Sequence, residues 1–155
     1  MIGSIVRSVG AVIAGLVAAM FFIVCVEAVR AVVYPPAPGI DLHDIEACKA
    51  HIAKLPADAF RIAVAGWGLA VLVGSWVESR LGPGRHPAHG NVVGSILLFA
   101  AVANMLMLPY PIWFWVLNLV TFTVADLLGA KWGEHGPRTG QPLRVSVSVI
   151  SKSKH

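Results

Sequence analysis

Residues 92–128 read VVGSILLFAAVANMLML, PYP and IWFWVLNLVTFTVADLL in succession. The two apolar runs are close to the roughly 20 residues that a helix needs to cross about 30 Å of hydrocarbon. Pro109-Tyr110-Pro111 forms a tight turn between them. Two further runs of the same kind lie at Ala11–Val26 and Ile62–Val77, and almost no charge interrupts any of the four. The runs therefore predict membrane-spanning helices.

The composition favours the same interpretation. The chain has 155 residues, of which 57% are hydrophobic and 13% charged, and its mean hydropathy is +0.75. A soluble domain is closer to a quarter charged. Buried helices of a soluble protein should also carry a polar stripe, whereas these runs are apolar nearly all round. We predict an all-α membrane protein, a four-helix transmembrane bundle.

The predicted membrane domain covers residues 1–132, followed by a polar, flexible cytoplasmic tail at 133–155. Its four spans are expected at about 5–31, 59–80, 91–108 and 111–131. A short amphipathic helix at about 42–55, with Asp41 as its N-cap, is predicted in the first extracytoplasmic loop. Asn91 is the expected cap of the third span.

The distribution of Lys and Arg predicts the orientation, because cytoplasmic loops are rich in both. One side of the membrane carries Arg7, Arg80, Arg85 and the basic tail, whereas acidic residues outnumber Lys49 and Lys54 in the first loop. We therefore predict a multi-pass protein of the bacterial inner membrane with both termini in the cytoplasm. The basic residues are spread over loops and tail, so the net charge of +4 reflects topology. Membrane lipids are expected partners, and nucleic acid is not.

Small residues at helical spacing predict how the spans pack, since close backbone approach favours association within lipid. The second span carries Gly66, Ala70 and Gly74. The first span offers two such stripes, and the fourth offers one: Gly10, Ala14 and Ala18; Ala11, Gly15 and Ala19; Thr121, Ala125 and Gly129. We expect a tight bundle in which the first two spans are in close contact. A homo-oligomer built on the same stripes is the alternative.

Polar side chains within spans are expensive unless paired, so each is a candidate functional site. Five of them should reach one depth near the outer end of the bundle: Glu27, Arg30, Arg61, Asn104 and Asn118. One interpretation is an outward-facing substrate pocket, in which Glu27 binds a cation or a proton. The other is structural: Glu27 pairs with Arg30 or Arg61, and the asparagines link helices.

Near the inner end, Asp126 is a candidate for a proton or ion path with Glu27, although such a residue more often pairs with a neighbour such as Lys131 or Arg80. Asp44, Cys48 and His51 have ligand-compatible spacing, but a solvated helix face is the favoured interpretation. The chain contains no nucleophile elbow, phosphate-binding glycine loop or H-E-x-x-H. We expect no metal, no cofactor and no catalytic residue.

Two segments, Pro35–Asp41 and Asn104–Pro109 with Pro111 and Trp113 following, resemble small four-span bacterial inner-membrane proteins of uncharacterised function. The resemblance implies a four-span fold and no activity. Small multidrug transporters carry a glutamate in their first helix, but Glu27 lies too near the outer end. Three functions stay open: a structural, accessory or interaction bundle, which is favoured; a transporter or channel for a small solute or ion; and a membrane enzyme or lipid-handling protein.

Overall fold

A computed structural model describes residues 2–36, 38, 44–83 and 91–135, and these form five helices. Their bounds are α1 Ile2–Val33, α2 Ile45–Ile52, α3 Ala57–Leu81, α4 Val92–Met107 and α5 Ile112–Glu134. In this part of the chain α1, α3 and α5 are long and apolar enough to cross a membrane, and α4 is a shorter apolar helix. The described chain is all-α, and its helix lengths and hydropathy make it a multi-pass membrane protein.

Helix α3 lies at the centre, with α1 along one side and α5 along another. Small residues on two faces of α3 make this possible. A Cβ added to Gly66 would overlap the Val26 side chain of α1, and one added to Gly68 would overlap Thr121 of α5. The predicted close contact between the first two spans is confirmed.

Helices α1 and α3 touch through their backbones. A Cβ added to Gly15 would lie 2.6 Å from the carbonyl oxygen of Gly74. Ala11 and Ala19, on the same stripe as Gly15, are buried, whereas Gly10 is exposed and a Cβ there would meet nothing within 4 Å. Of the two stripes on the first span, the one through Gly15 therefore forms the contact.

Helix α5 approaches α3 through its own small residues. A Cβ on Gly129 would lie 3.1 Å from the Ser75 Cβ, and one on Gly133 would lie 2.9 Å from the carbonyl oxygen of Trp76. Ala125, on the predicted stripe with Gly129, is also buried. The stripe predicted on the fourth span thus faces α3.

Helix α4 is shorter than the predicted span at 91–108. Its 16 residues cover about 24 Å, less than the roughly 30 Å of a bilayer core. Asn91 occupies the N-cap position as predicted, but its side chain makes no capping hydrogen bond in the described residues. Instead Glu78 of α3 accepts the backbone N–H of Val93 at 2.9 Å. A carboxylate from the neighbouring helix therefore satisfies the first turn of α4.

Helix α2 is also shorter than the predicted 42–55. Asp44 is its N-cap and accepts the backbone N–H of Glu46 at 2.9 Å, so the assignment of this role to Asp41 was wrong. Asp41 itself lies outside the described residues, as do Arg85 and the tail from residue 136. Ile52 and Leu55 pack against the core of the bundle and hold α2 across its end.

Candidate functional site

The end of the bundle that carries α2 contains a cavity of about 420 Å³, which we call the α2-end cavity. Four parts of the chain form it: the last turns of α1, helix α2, the first half of α3, and the last turn of α4 with its connection to α5. Its polar and aromatic lining includes Glu27, Arg30, Tyr34, Trp67, Asn104 and Tyr110.

Glu27 is the centre of hydrogen bonding in this cavity. Its Oε2 accepts from Nη1 of Arg30 at 2.7 Å, and its Oε1 accepts from the same nitrogen and from Nε1 of Trp67, each at 2.9 Å. The Arg30 side chain is 12% exposed and that of Glu27 is 42% exposed. Pairing of Glu27 with Arg30, one of the two structural interpretations, is therefore present. The carboxylate still faces the cavity.

Asn104 and Tyr110 also line the cavity. The Tyr110 hydroxyl donates to Oδ1 of Asn104 at 3.1 Å, and its ring stacks on Phe114 with 4.6 Å between the ring centres. Burial raises the pKa of Tyr110 to about 12. The hydroxyl therefore keeps its proton throughout the physiological range and remains a donor to Asn104.

The other two predicted pocket residues do not line the α2-end cavity. Arg61 pairs with Asp58 at 2.6 Å, with side chains 69% and 67% exposed. Asn118 is fully buried in α5, where its Nδ2 donates to the carbonyl oxygen of Phe114 at 2.9 Å and its Oδ1 has no partner among the described residues. The structure thus brings together Glu27, Arg30 and Asn104 but not the whole predicted set.

Sequence reasoning missed Trp67, which supplies a hydrogen bond between α1 and α3. Trp67 lies within an apolar run, where tryptophan is counted as a hydrophobic residue, so the pattern does not mark it as polar. Its indole N–H nevertheless needs an acceptor when it is buried. Glu27 is the acidic residue of the first span, so a search for an acceptor of this N–H could have found the pair.

A second polar cluster lies at the opposite end of the bundle. The Ser75 hydroxyl donates to Oδ1 of Asp126 at 2.5 Å, so in the described residues Asp126 is bonded to Ser75 and not to the expected Lys131 or Arg80. The Asp126 carboxylate lies against Gly94, where a Cβ would overlap it. Glu78 is 2% exposed, and its Oε1 has no partner in the part of the chain that the structure describes.

Closely packed apolar residues lie between the two polar clusters. Asn118 and Asp126 are eight residues apart on α5, about 12 Å along the helix axis. Phe122, halfway between them, is 4% exposed, and Val71 of α3 is 1% exposed. Buried apolar side chains therefore separate the polar groups that the sequence placed on one stripe.

Within residues 2–36, 38, 44–83 and 91–135, no three His, Cys, Asp or Glu side chains are placed to hold a metal ion. Of the spaced trio on α2, Asp44 caps the helix while Cys48 and His51 line the α2-end cavity. Comparison of the chain with family models, curated proteins and solved structures finds no match. The resemblance to small four-span bacterial proteins therefore depends on the sequence motifs, and the helices support a small multi-span membrane protein.

Proposed function

We propose that the chain is a four-span bundle of the bacterial inner membrane, with both termini cytoplasmic and a structural or interaction role. In this proposal the polar residues of the spans hold the helices in place. They do not form a path for a solute or an ion.

The observation that carries the proposal is the pattern of polar bonds from α3. Trp67 binds Glu27 of α1, Ser75 binds Asp126 of α5, and Glu78 binds the first turn of α4. Among the described residues, the central helix thus makes at least one such bond to each of the other three apolar helices. Hydrogen bonds between helices in lipid contribute about 0.6 kcal/mol each, and up to about 2. Each of these three bonds fixes how one helix is rotated about its own axis relative to α3.

The packing between the clusters also supports this role over transport. A path from Glu27 to Asp126 would pass the level of Phe122 and Val71, which are almost completely buried. Water and ions need polar partners along such a route. Phe122 and Val71 belong to one cluster of buried apolar residues, as expected of a static support.

The test removes one donor at a time. Trp67→Phe and Ser75→Ala each delete a bond between helices, and we expect each to lower the free energy of unfolding by about 0.5–2 kcal/mol. Ser95→Ala is the matched control. The Ser95 hydroxyl donates to the backbone carbonyl oxygen of Asn91, the N-cap residue of the same helix, so its loss deletes no bond between helices. Unfolding by SDS in mixed micelles measures the difference.

The competing transport function is tested in proteoliposomes. We expect no proton or cation flux above that of empty vesicles, and no change with Glu27→Gln or Asp126→Asn. A flux in the wild-type protein that either substitution abolishes, with unfolding unchanged, would replace the structural role by transport.

A further inference from the structure

We infer that the α2-end cavity binds the zwitterionic headgroup of a phospholipid, one that carries both a phosphate and an amine. The inference adds a ligand to the proposed function and rests on it, because the four-span topology puts this cavity at the level of the lipid headgroups.

The charges of the cavity favour a zwitterion. Glu27 and Arg30 line it together and are bonded to each other, so the pair is neutral overall. A ligand with only negative charge is repelled by Glu27, and one with only positive charge is repelled by Arg30. A headgroup with both charges can place each beside its opposite.

The amine of such a headgroup has suitable partners beside Glu27. The Glu27 side chain is 42% exposed, and its Oε2 accepts one hydrogen bond from the described residues. Tyr34, Trp67 and Tyr110 also line the cavity. Aromatic rings attract ammonium groups through cation–π interactions, so a carboxylate among three rings is a favourable environment for an amine.

The phosphate can bind Arg30. A guanidinium has five N–H donors, and the bonds to Glu27 come from Nη1 alone. Nε of Arg30 is buried and has no acceptor among the described residues, so a ligand in the cavity binds through the terminal nitrogens of the guanidinium. Arginine binds phosphate strongly through paired donors, so a phosphate in the cavity can bind the terminal N–H groups of Arg30 that Glu27 does not use.

The size and the surroundings of the cavity fit a lipid. Its volume of about 420 Å³ lies within the range of small-ligand sites. Met20 and Val24 are exposed, and they lie seven residues before Glu27 and Ala31, on the same face of α1. Acyl chains attached to a headgroup in the cavity can therefore lie along apolar surface.

The experiment measures lipid binding to the purified protein by native mass spectrometry. Phosphatidylethanolamine carries the amine, and phosphatidylglycerol with the same acyl chains lacks it. We expect the first to bind at least about tenfold more tightly, the effect of losing one charge-assisted hydrogen bond. Glu27→Gln and Arg30→Gln should each weaken phosphatidylethanolamine binding by about the same factor.

The matched controls are Asp58→Asn and Arg61→Gln. These residues form a carboxylate–guanidinium pair at the same spacing, on an exposed surface away from the cavity lining, and we expect their substitution to leave lipid binding unchanged. Ala31→Phe fills the cavity without removing the charged pair and should also abolish binding. Ala28→Phe, at an exposed position one turn away and outside the lining, should not.

Equal binding of the two lipids, or retained binding in Ala31→Phe, would overturn the inference. Displacement of the lipid by an equal concentration of soluble phosphoethanolamine would overturn the lipid assignment in favour of a soluble zwitterion. Failure of the proposed structural role is seen separately, as a flux in proteoliposomes, which these binding measurements do not report.

Discussion

Glu78 illustrates how a single buried carboxylate determines where a helix begins. The first N–H groups of any helix have no partner within it, and in hydrocarbon each unsatisfied group costs several kcal/mol. Glu78 of α3 accepts the N–H of Val93. Because this bond comes from a residue one turn before the end of α3, α4 can begin inside the bundle. In the proposed four-span topology, a helix that starts inside the bundle needs fewer residues to cross the remaining thickness, as the 16 residues of α4 require.

Removing this acceptor should destabilise the bundle. We expect Glu78→Ala to lower the free energy of unfolding by about 1–3 kcal/mol, because the Val93 N–H loses its partner in a buried site. Glu78→Gln keeps an oxygen acceptor and should cost less. Glu46→Ala is the control, since the exposed Glu46 pairs with Lys49 on the surface of α2, and it should change the unfolding midpoint in SDS little. An equal effect of Glu78→Ala and Glu46→Ala would contradict the capping role.

Residue depth could be predicted from the sequence, but residue direction could not. Hydropathy places Glu27, Arg30 and Asn104 near one end, and all three line the α2-end cavity. Arg61 and Asn118 have similar predicted depths, but the Arg61 side chain is exposed on the surface of the bundle. The Asn118 side chain is buried in the core. The depth of a residue follows from its distance to the end of an apolar run, whereas its direction depends on how each helix is rotated against α3.

At the scale of elements, the small-residue faces of α3 determine the arrangement. Helical periodicity made these stripes visible in the sequence, and the α1–α3 contact follows from them. The sequence could not choose between the two stripes of α1, because either offers small residues at the right spacing. The choice depends on the partner surface, where Gly74 meets Gly15 and leaves Gly10 exposed. The hydrogen bond from Glu78 to the first turn of α4 could not be predicted from the sequence either, because a loop separates the two residues along the chain.

A pair of glycine substitutions on α1 tests this packing. Gly15→Val should lower the free energy of unfolding by about 1–3 kcal/mol, since the added side chain must push apart two backbones in contact. Gly10→Val adds the same side chain on the same helix, where a Cβ meets nothing within 4 Å, and it should have little effect. Thermal unfolding in detergent compares the two, and equal loss in both variants would contradict the contact through Gly15.

The proposed topology of the molecule requires four crossings of the membrane. Helices α1, α3 and α5 are long and apolar enough to cross a membrane. The topology therefore depends on whether α4 crosses as well. If α4 crosses, α2 and the α4–α5 connection lie on one side of the membrane. The N-terminus, the α3–α4 connection and the end of α5, which carry most of the basic residues, lie on the other side. The α2-end cavity then opens at the headgroup level of one leaflet. If α4 does not cross, the connection at Pro109 and the end of α5 change sides.

The most direct test is the accessibility of single cysteines to a membrane-impermeant maleimide, in a background with Cys25 and Cys48 replaced by serine. Cysteines are introduced by Glu46→Cys in α2, Pro83→Cys just after α3, Pro109→Cys between α4 and α5, and His135→Cys just after α5. We predict that positions 46 and 109 react in intact cells and that positions 83 and 135 react only after permeabilisation. Reaction of position 109 together with position 83, or of position 46 together with position 83, would contradict the four-span bundle.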